Sequence, residues 1–172
     1  MNESTWSRDF DELALGDEFA TSPHVVSERE VLIFAALTGD HHPAHVDKDW
    51  AAAGPFGEQI AHGMLVMSMA VGLVPFDPER VIALRRVSDV VFRRPIKLGD
   101  RITVEGRLDD LKPMTDDAGL ACWRWTIRDG QGRPACRAEV EVLWRRDSGP
   151  AEDAWEIEMP SYDHHGRLPI AL

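Results

Sequence analysis

The sequence predicts an α+β domain in which a curved antiparallel sheet wraps one enclosed helix. Three observations carry this. The run Met64 to Val74 is apolar nearly all round, which marks a helix enclosed on most sides rather than one laid on a surface. In the second half the hydrophobic period drops to two. Ile102, Val104, Gly106 and Leu108 alternate with Arg101, Thr103, Glu105 and Arg107, and Trp123, Trp125 and Ile127 alternate with Arg124, Thr126 and Arg128. Asp129-Gly130-Gln131-Gly132 is then a hairpin signal, after which Ala138, Val140, Val142 and Trp144 stand opposite Arg137, Glu139 and Glu141.

Taken in order, Gly16-Asp17 reads as a turn that feeds a strand from Glu18 to Val26. Ser27-Glu28-Arg29-Glu30 has the form of a capping box. Behind it Val31, Phe34, Ala35 and Leu37 recur at helical spacing, with Leu32 and Ala36 widening the stripe expected to be buried. Gly39 is placed to end that helix in a left-handed turn, so the helix delivers Asp40 at its carboxyl end. The loop Asp40 to Asp47 is expected to be non-helical through its middle because Pro43 pushes His42 towards extended backbone. Asp47 caps a short helix, Lys48 to Ala53, which Gly54-Pro55 breaks. The enclosed helix follows and ends at Pro75. Val87 to Phe92 is the next strand, and Pro95 to Asp100 turns the chain into the alternating strands. Trp123, Trp125 and Trp144 are expected to pack on the helix.

The 172 residues suit one main domain, residues 1–147, followed by an acidic and largely irregular extension, 148–172, with five carboxylates against one arginine. A net charge of −11 argues against a nucleic-acid binder, which needs a basic face. A local basic stretch nevertheless exists: Arg85, Arg86, Arg93, Arg94, Lys97 and Arg101. No signal peptide is visible at the N-terminus, and no apolar run is long enough to span a bilayer. Two cysteines, Cys122 and Cys136, make no disulfide framework and fit reduced thiols in a cytoplasmic protein.

The chemistry concentrates between Asp40 and Met69. Asp40 and His45 lie five positions apart across a proline, and His62-Gly63 opens the apolar helix. An acid and an imidazole on one loop, with a glycine at the mouth of a buried helix, suit acid–base work on a carbonyl compound. On its own Asp40 fits equally a residue that satisfies backbone donors after the helix. His41, His42 and His45 come from one tight loop without the two-histidine helical spacing of zinc enzymes, so no metal is expected. His62 either orients the entrance to the site or packs structurally. Met64 and Met67 line a core or an acyl channel. Arg93 and Arg94 lie either on a solvated sheet face or against a phosphate group.

At these residues the chain resembles the MaoC-like dehydratases, the (R)-specific enoyl-CoA hydratases of the hot-dog fold. The family pattern G-D-x-N-P-x-H-x-D stands here as Gly39-Asp40-His41-His42-Pro43-Ala44-His45-Val46-Asp47, and A-H-G-M-L as Ala61-His62-Gly63-Met64-Leu65. The likeness extends over roughly residues 10 to 146. It departs from the pattern at His42, where the family often has Asn, and at Val71, where some hydratases carry serine.

The resemblance implies a hot-dog helix wrapped by the sheet, assembly as a homodimer or higher oligomer, and reversible hydration of a 2-enoyl thioester to the (R)-3-hydroxyacyl form. Asp40 and His45 would then be the acid–base pair, and the Gly63 amide would stabilise the enolate oxygen. His62, Met64, Met67, Arg93 and Arg94 would contact substrate. No cofactor is implied beyond the coenzyme A or phosphopantetheine that is part of the substrate, and the resemblance leaves open whether an acyl carrier protein is a macromolecular partner. Two other readings stand beside this one: a hot-dog thioesterase, and a non-catalytic acyl-binding subunit of a hetero-oligomer.

Overall fold

Helix α1 (Glu28–Thr38) begins and ends on its own local signals. The Glu30 N–H donates to Ser27 Oγ (3.3 Å), and the Ser27 N–H donates to Glu30 Oε2 (2.7 Å). Gly39 closes the helix at φ +77°, the left-handed region that favours glycine. These features belong to a computed structural model that describes residues 5–146. The acidic extension, 148–172, lies outside the described residues.

The expected strand over Glu18 to Val26 is two short strands, β1 (Glu18–Ala20) and β2 (His24–Val25). Both pair antiparallel with a later strand, β4 (Arg101–Pro113), and Pro23, which has no N–H to give, falls in the gap between them. The middle of the Asp40–Asp47 loop is helical after all, as one turn, α2 (Pro43–Val46). Pro43 sits at the first helical position, where the missing N–H costs nothing. His42 acts as the cap, its Nδ1 accepting from the Ala44 N–H (3.2 Å). Helix α3 (Lys48–Ala53) is capped by Asp47 as expected.

Helix α4 (Gly63–Leu73) puts Leu65, Val66, Met67 and Ala70 into the core but leaves Met64 and Ser68 exposed, so the single chain encloses it only in part. It shares that core with Ile102, Val104, Leu108, Trp125 and Val140 of the sheet. Strands β3 (Val81–Phe92), β4 (Arg101–Pro113), β5 (Ala118–Arg128) and β6 (Pro134–Arg145) complete an antiparallel sheet in the order β1-β4-β5-β6-β3. This is the α+β hot-dog architecture. Strand β3 starts earlier than expected and loses simple alternation through register shifts against β6, one of them around Asp89 at φ +50°.

One burial expectation fails. Leu32 and Leu37 of α1 are 46% and 81% exposed, and only Val31 and Ala35 of that helix are buried, because nothing else among the described residues covers this face. Trp123 and Trp144 are buried in the core they share with α4, and their rings also stack on Trp6, with centroids at 5.1 and 5.2 Å. The N-terminal turn therefore plugs the sheet. The Trp144 indole N–H donates to the Arg8 carbonyl (2.9 Å), which satisfies its one polar atom. Among the described residues, no helix is long and apolar enough to cross a membrane.

Candidate active site

Two segments far apart in sequence are laced together by hydrogen bonds. The Ile60 N–H donates to the Ala44 carbonyl (3.1 Å), and Gln59 Nε2 donates to the His45 carbonyl (2.9 Å). His45 Nδ1 lies 2.8 Å from the Ile60 carbonyl, and His62 Nε2 lies 2.9 Å from the Asp40 carbonyl. A carbonyl can only accept, so Nδ1 of His45 and Nε2 of His62 carry hydrogens. His45 therefore keeps the lone pair of Nε2 for chemistry.

The two imidazoles stack, with centroids 3.8 Å apart and planes at 29°. His62 is buried beneath His45, and among the described residues its Nδ1 has no hydrogen-bond partner. Burial holds the His45 pKa below the ordinary imidazole value, helped by the neighbouring His62 and His42 charges; the Ile60 carbonyl and Asp40 pull the other way. Asp40 is exposed, with one oxygen accepting from the His42 N–H (3.3 Å). The burial that acid catalysis by a carboxyl would require is thus not supplied by the described residues.

Asp40, His45 and His62 each present a ligand-type atom, all within 4.8 Å of one another. This is a different trio from the three loop histidines weighed from sequence. Face-to-face rings do not aim their in-plane lone pairs at one point about 2 Å away, as a metal ion would demand. The arrangement suits proton transfer better than coordination.

His45 opens onto a cavity of about 320 Å³ bounded by Gly63, Val66, Phe92, Arg93 and Arg94. That size fits a small apolar ligand end. Gly63 stands at the first position of α4, where its N–H lies outside the helix ladder. A Cβ added there would lie 2.9 Å from the Phe92 ring, so the space the missing side chain leaves is taken by that ring. Arg93 and Arg94 line the rim, and their N–H groups both donate to the Ala135 carbonyl. Met64 is 56% exposed and Met67 is buried in the core; neither borders the cavity. Sequence reasoning missed Phe56, Phe92 and Cys136 in its wall. Only an aromatic just before Arg93-Arg94-Pro95 could have pointed to one of them. Burial pushes the Cys136 thiol up to about 11, so this wall presents a neutral sulfur.

Relatives can be placed against this geometry. The chain is 35% identical over 123 residues to Protein MaoC of Klebsiella aerogenes, covering 67% of this chain but only 37% of that longer protein. It is 32% identical over 141 residues to 3-hydroxyacyl-thioester dehydratase Z of Mycobacterium tuberculosis, covering 76% of this chain and 91% of the relative. The solved (R)-hydratase from A. caviae superposes with a TM-score of 0.65 at 28% identity, over 76% of this chain and 96% of that one. The family description "MaoC like domain" matches residues 11–118, and on these grounds the chain belongs to the MaoC-like dehydratase family.

Proposed function

We propose that this protein catalyses reversible hydration of a 2-enoyl thioester to the (R)-3-hydroxyacyl thioester, with Asp40 and His45 as the acid–base pair. The observation that carries the reading is the approach of the Asp40 carboxylate and the His45 imidazole to within 4.8 Å, beside a cavity that Gly63 also borders. In the hydration direction a water held between the two groups gives a proton to Nε2 of His45 as its oxygen attacks C3. Electron density moves onto the thioester oxygen, which accepts from the Gly63 N–H at the positive end of α4. C2 then takes the proton back from the pair, and the net change is one water added across the double bond. Dehydration runs the same steps in reverse. Arg93 and Arg94 hold the thioester handle at the rim, and the fatty end lies along Val66. The relatives named as hydratase and thioester dehydratase support this class of substrate.

We further read the working form as a homodimer. Leu32, Ile33 and Leu37 form an uncovered apolar face on α1, and β3 is an open sheet edge. A second copy would also remove water from Asp40.

Loss of the conjugated-thioester absorbance of crotonyl-CoA tests the reaction. Asp40→Asn and His45→Ala should each lower kcat by about 10²- to 10⁴-fold with the fold unchanged by circular dichroism. Wild-type protein that releases free thiol without hydrating any enoyl thioester would make this a thioesterase instead.

A further inference from the structure

His62 borders no part of the reaction cavity, yet it touches both residues of the proposed acid–base pair. Its own place is well fixed. Its backbone caps α4 one residue before Gly63, and the Val66 N–H donates to its carbonyl (3.1 Å). The Phe34 ring, from α1, lies against its imidazole with centroids 5.1 Å apart. From this seat the Nε2–H donates to the Asp40 carbonyl (2.9 Å). The Asp40 N–H is tied as well. It donates to Thr38 Oγ1 (3.3 Å), whose hydroxyl donates to the Phe34 carbonyl (2.7 Å). With both backbone groups held, the Asp40 carboxylate moves only about its own side-chain bonds. The His45 ring is held at Nδ1 by the Ile60 carbonyl (2.8 Å), a single contact that does not by itself fix the plane of the ring. The His62 ring stacked at 3.8 Å supplies that restraint.

We propose that His62 is a positioning residue with two separable parts: its Nε2–H holds the Asp40 backbone, and its ring holds the plane of His45. The inference rests on the function proposed above and says how the reactive pair is kept in register. On this reading His62 acts on the pair and not on the substrate. A residue that only filled this space would be apolar. His62 is 2% exposed, and among the described residues its Nδ1 has no hydrogen-bond partner, a cost that a phenylalanine would avoid. An imidazole joins in one small side chain the two things this place uses, a flat ring and a donor at its tip.

The experiment takes the two parts away one at a time. His62→Phe keeps a ring under His45 and loses the donor. His62→Gln keeps an amide N–H at the reach of Nε2 and loses the ring. In crotonyl-CoA hydration each should lower kcat about tenfold, and His62→Ala about a hundredfold, with KM within about twofold of wild type. The titratable neighbours acting on His45 are His62, Asp40 and His42; both variants remove the first, so the acid limb of kcat/KM should move up in each. A space-filling role gives a different pattern. His62→Phe, apolar and of similar size, would keep wild-type kcat and an unmoved limb, and the other variants would lose activity only in step with Tm. That pattern overturns the proposal. So does a rise in KM at constant kcat, which would put His62 against the substrate. If wild type hydrates no enoyl thioester, the hydratase reading fails by itself. The His45 ring signals in nuclear magnetic resonance then decide the positioning: they should broaden in His62→Gln and stay sharp in His62→Phe, and sharp signals in His62→Gln overturn it.

Discussion

Gly63→Ala isolates what the contact between Phe92 and α4 does. The new Cβ would stand 2.9 to 3.0 Å from three atoms of the Phe92 ring, where ordinary contact begins near 3.4 Å, so the ring must retreat by about half an ångström or more. Phe92 is 48% exposed and has somewhere to go, which puts the cost at the low end for overpacking, about 1 kcal/mol. For a chain of this length that lowers Tm by about 2–4 °C. Catalysis should suffer more. A carbonyl displaced by about 1 Å from its productive position at the donor loses about 10²-fold in rate, and the added methyl stands beside that donor. The double variant Gly63→Ala/Phe92→Ala separates the two effects. It relieves the clash with the ring but leaves the methyl beside the amide, so thermal unfolding should lose its Gly63→Ala increment while crotonyl-CoA hydration stays low. Full recovery of activity in the double variant would refute the idea that the Gly63 amide is approached closely. An unchanged Tm in the single variant would refute the ring contact.

Two further outcomes follow from the same coordinates. Because burial and neighbouring imidazoles depress the His45 pKa, its neutral form is favoured in the folded protein. Its contribution to stability is therefore complete above the unfolded value of about 6.5 and is lost as pH falls through the lower folded value. The acid limb of kcat/KM should lie below 6.5 and should move upward in His62→Phe, which keeps a ring under His45 but removes a competing charge; a limb that stays put or moves down sinks this account. Trp6→Ala removes a ring stacked on Trp123 and Trp144 and should cost about 3–5 kcal/mol in denaturant unfolding, with a loss below 1 kcal/mol counting against the plug.

What could be read from the sequence was what the chain decides locally. The Ser27–Glu30 box, the Gly39 stop and the Asp47 cap each need only three or four adjacent residues, and all three are present. The alternation in β4, β5 and β6 was legible because one face of each is dry. The failures share another cause. The burial of α1 was overread because a helical stripe of apolar residues cannot say whether its cover comes from the same chain. Trp6 looked unremarkable beside Asp9 and Asp11, yet it fills the space over two strands that follow more than a hundred residues later. In the site, Asp40, His45 and Gly63 were legible as motif residues. Phe92 was not, because its position depends on how the bulged end of β3 meets the first turn of α4.

The two motifs also explain each other physically. Asp40 to His45 and Gln59 to Gly63 come together through four cross-links: Ile60 to Ala44, Gln59 to His45, His45 to Ile60 and His62 to Asp40. Each is worth about 1 kcal/mol net, so the set offsets part of the conformational entropy lost in fixing an irregular loop beside a helix end. Three of the four involve the backbone or the ring of His45 or the backbone of Asp40. Fixing Asp40 and His45 and fixing the loop are therefore one task. His62 links both sides at once, since its Nε2 holds the Asp40 carbonyl while its ring lies under His45 and its own backbone leads into Gly63. On this view His62 is a positioning residue for the whole site. A buried imidazole that is not among the residues lining the cavity would then set the distances between His45, Asp40 and the Gly63 amide.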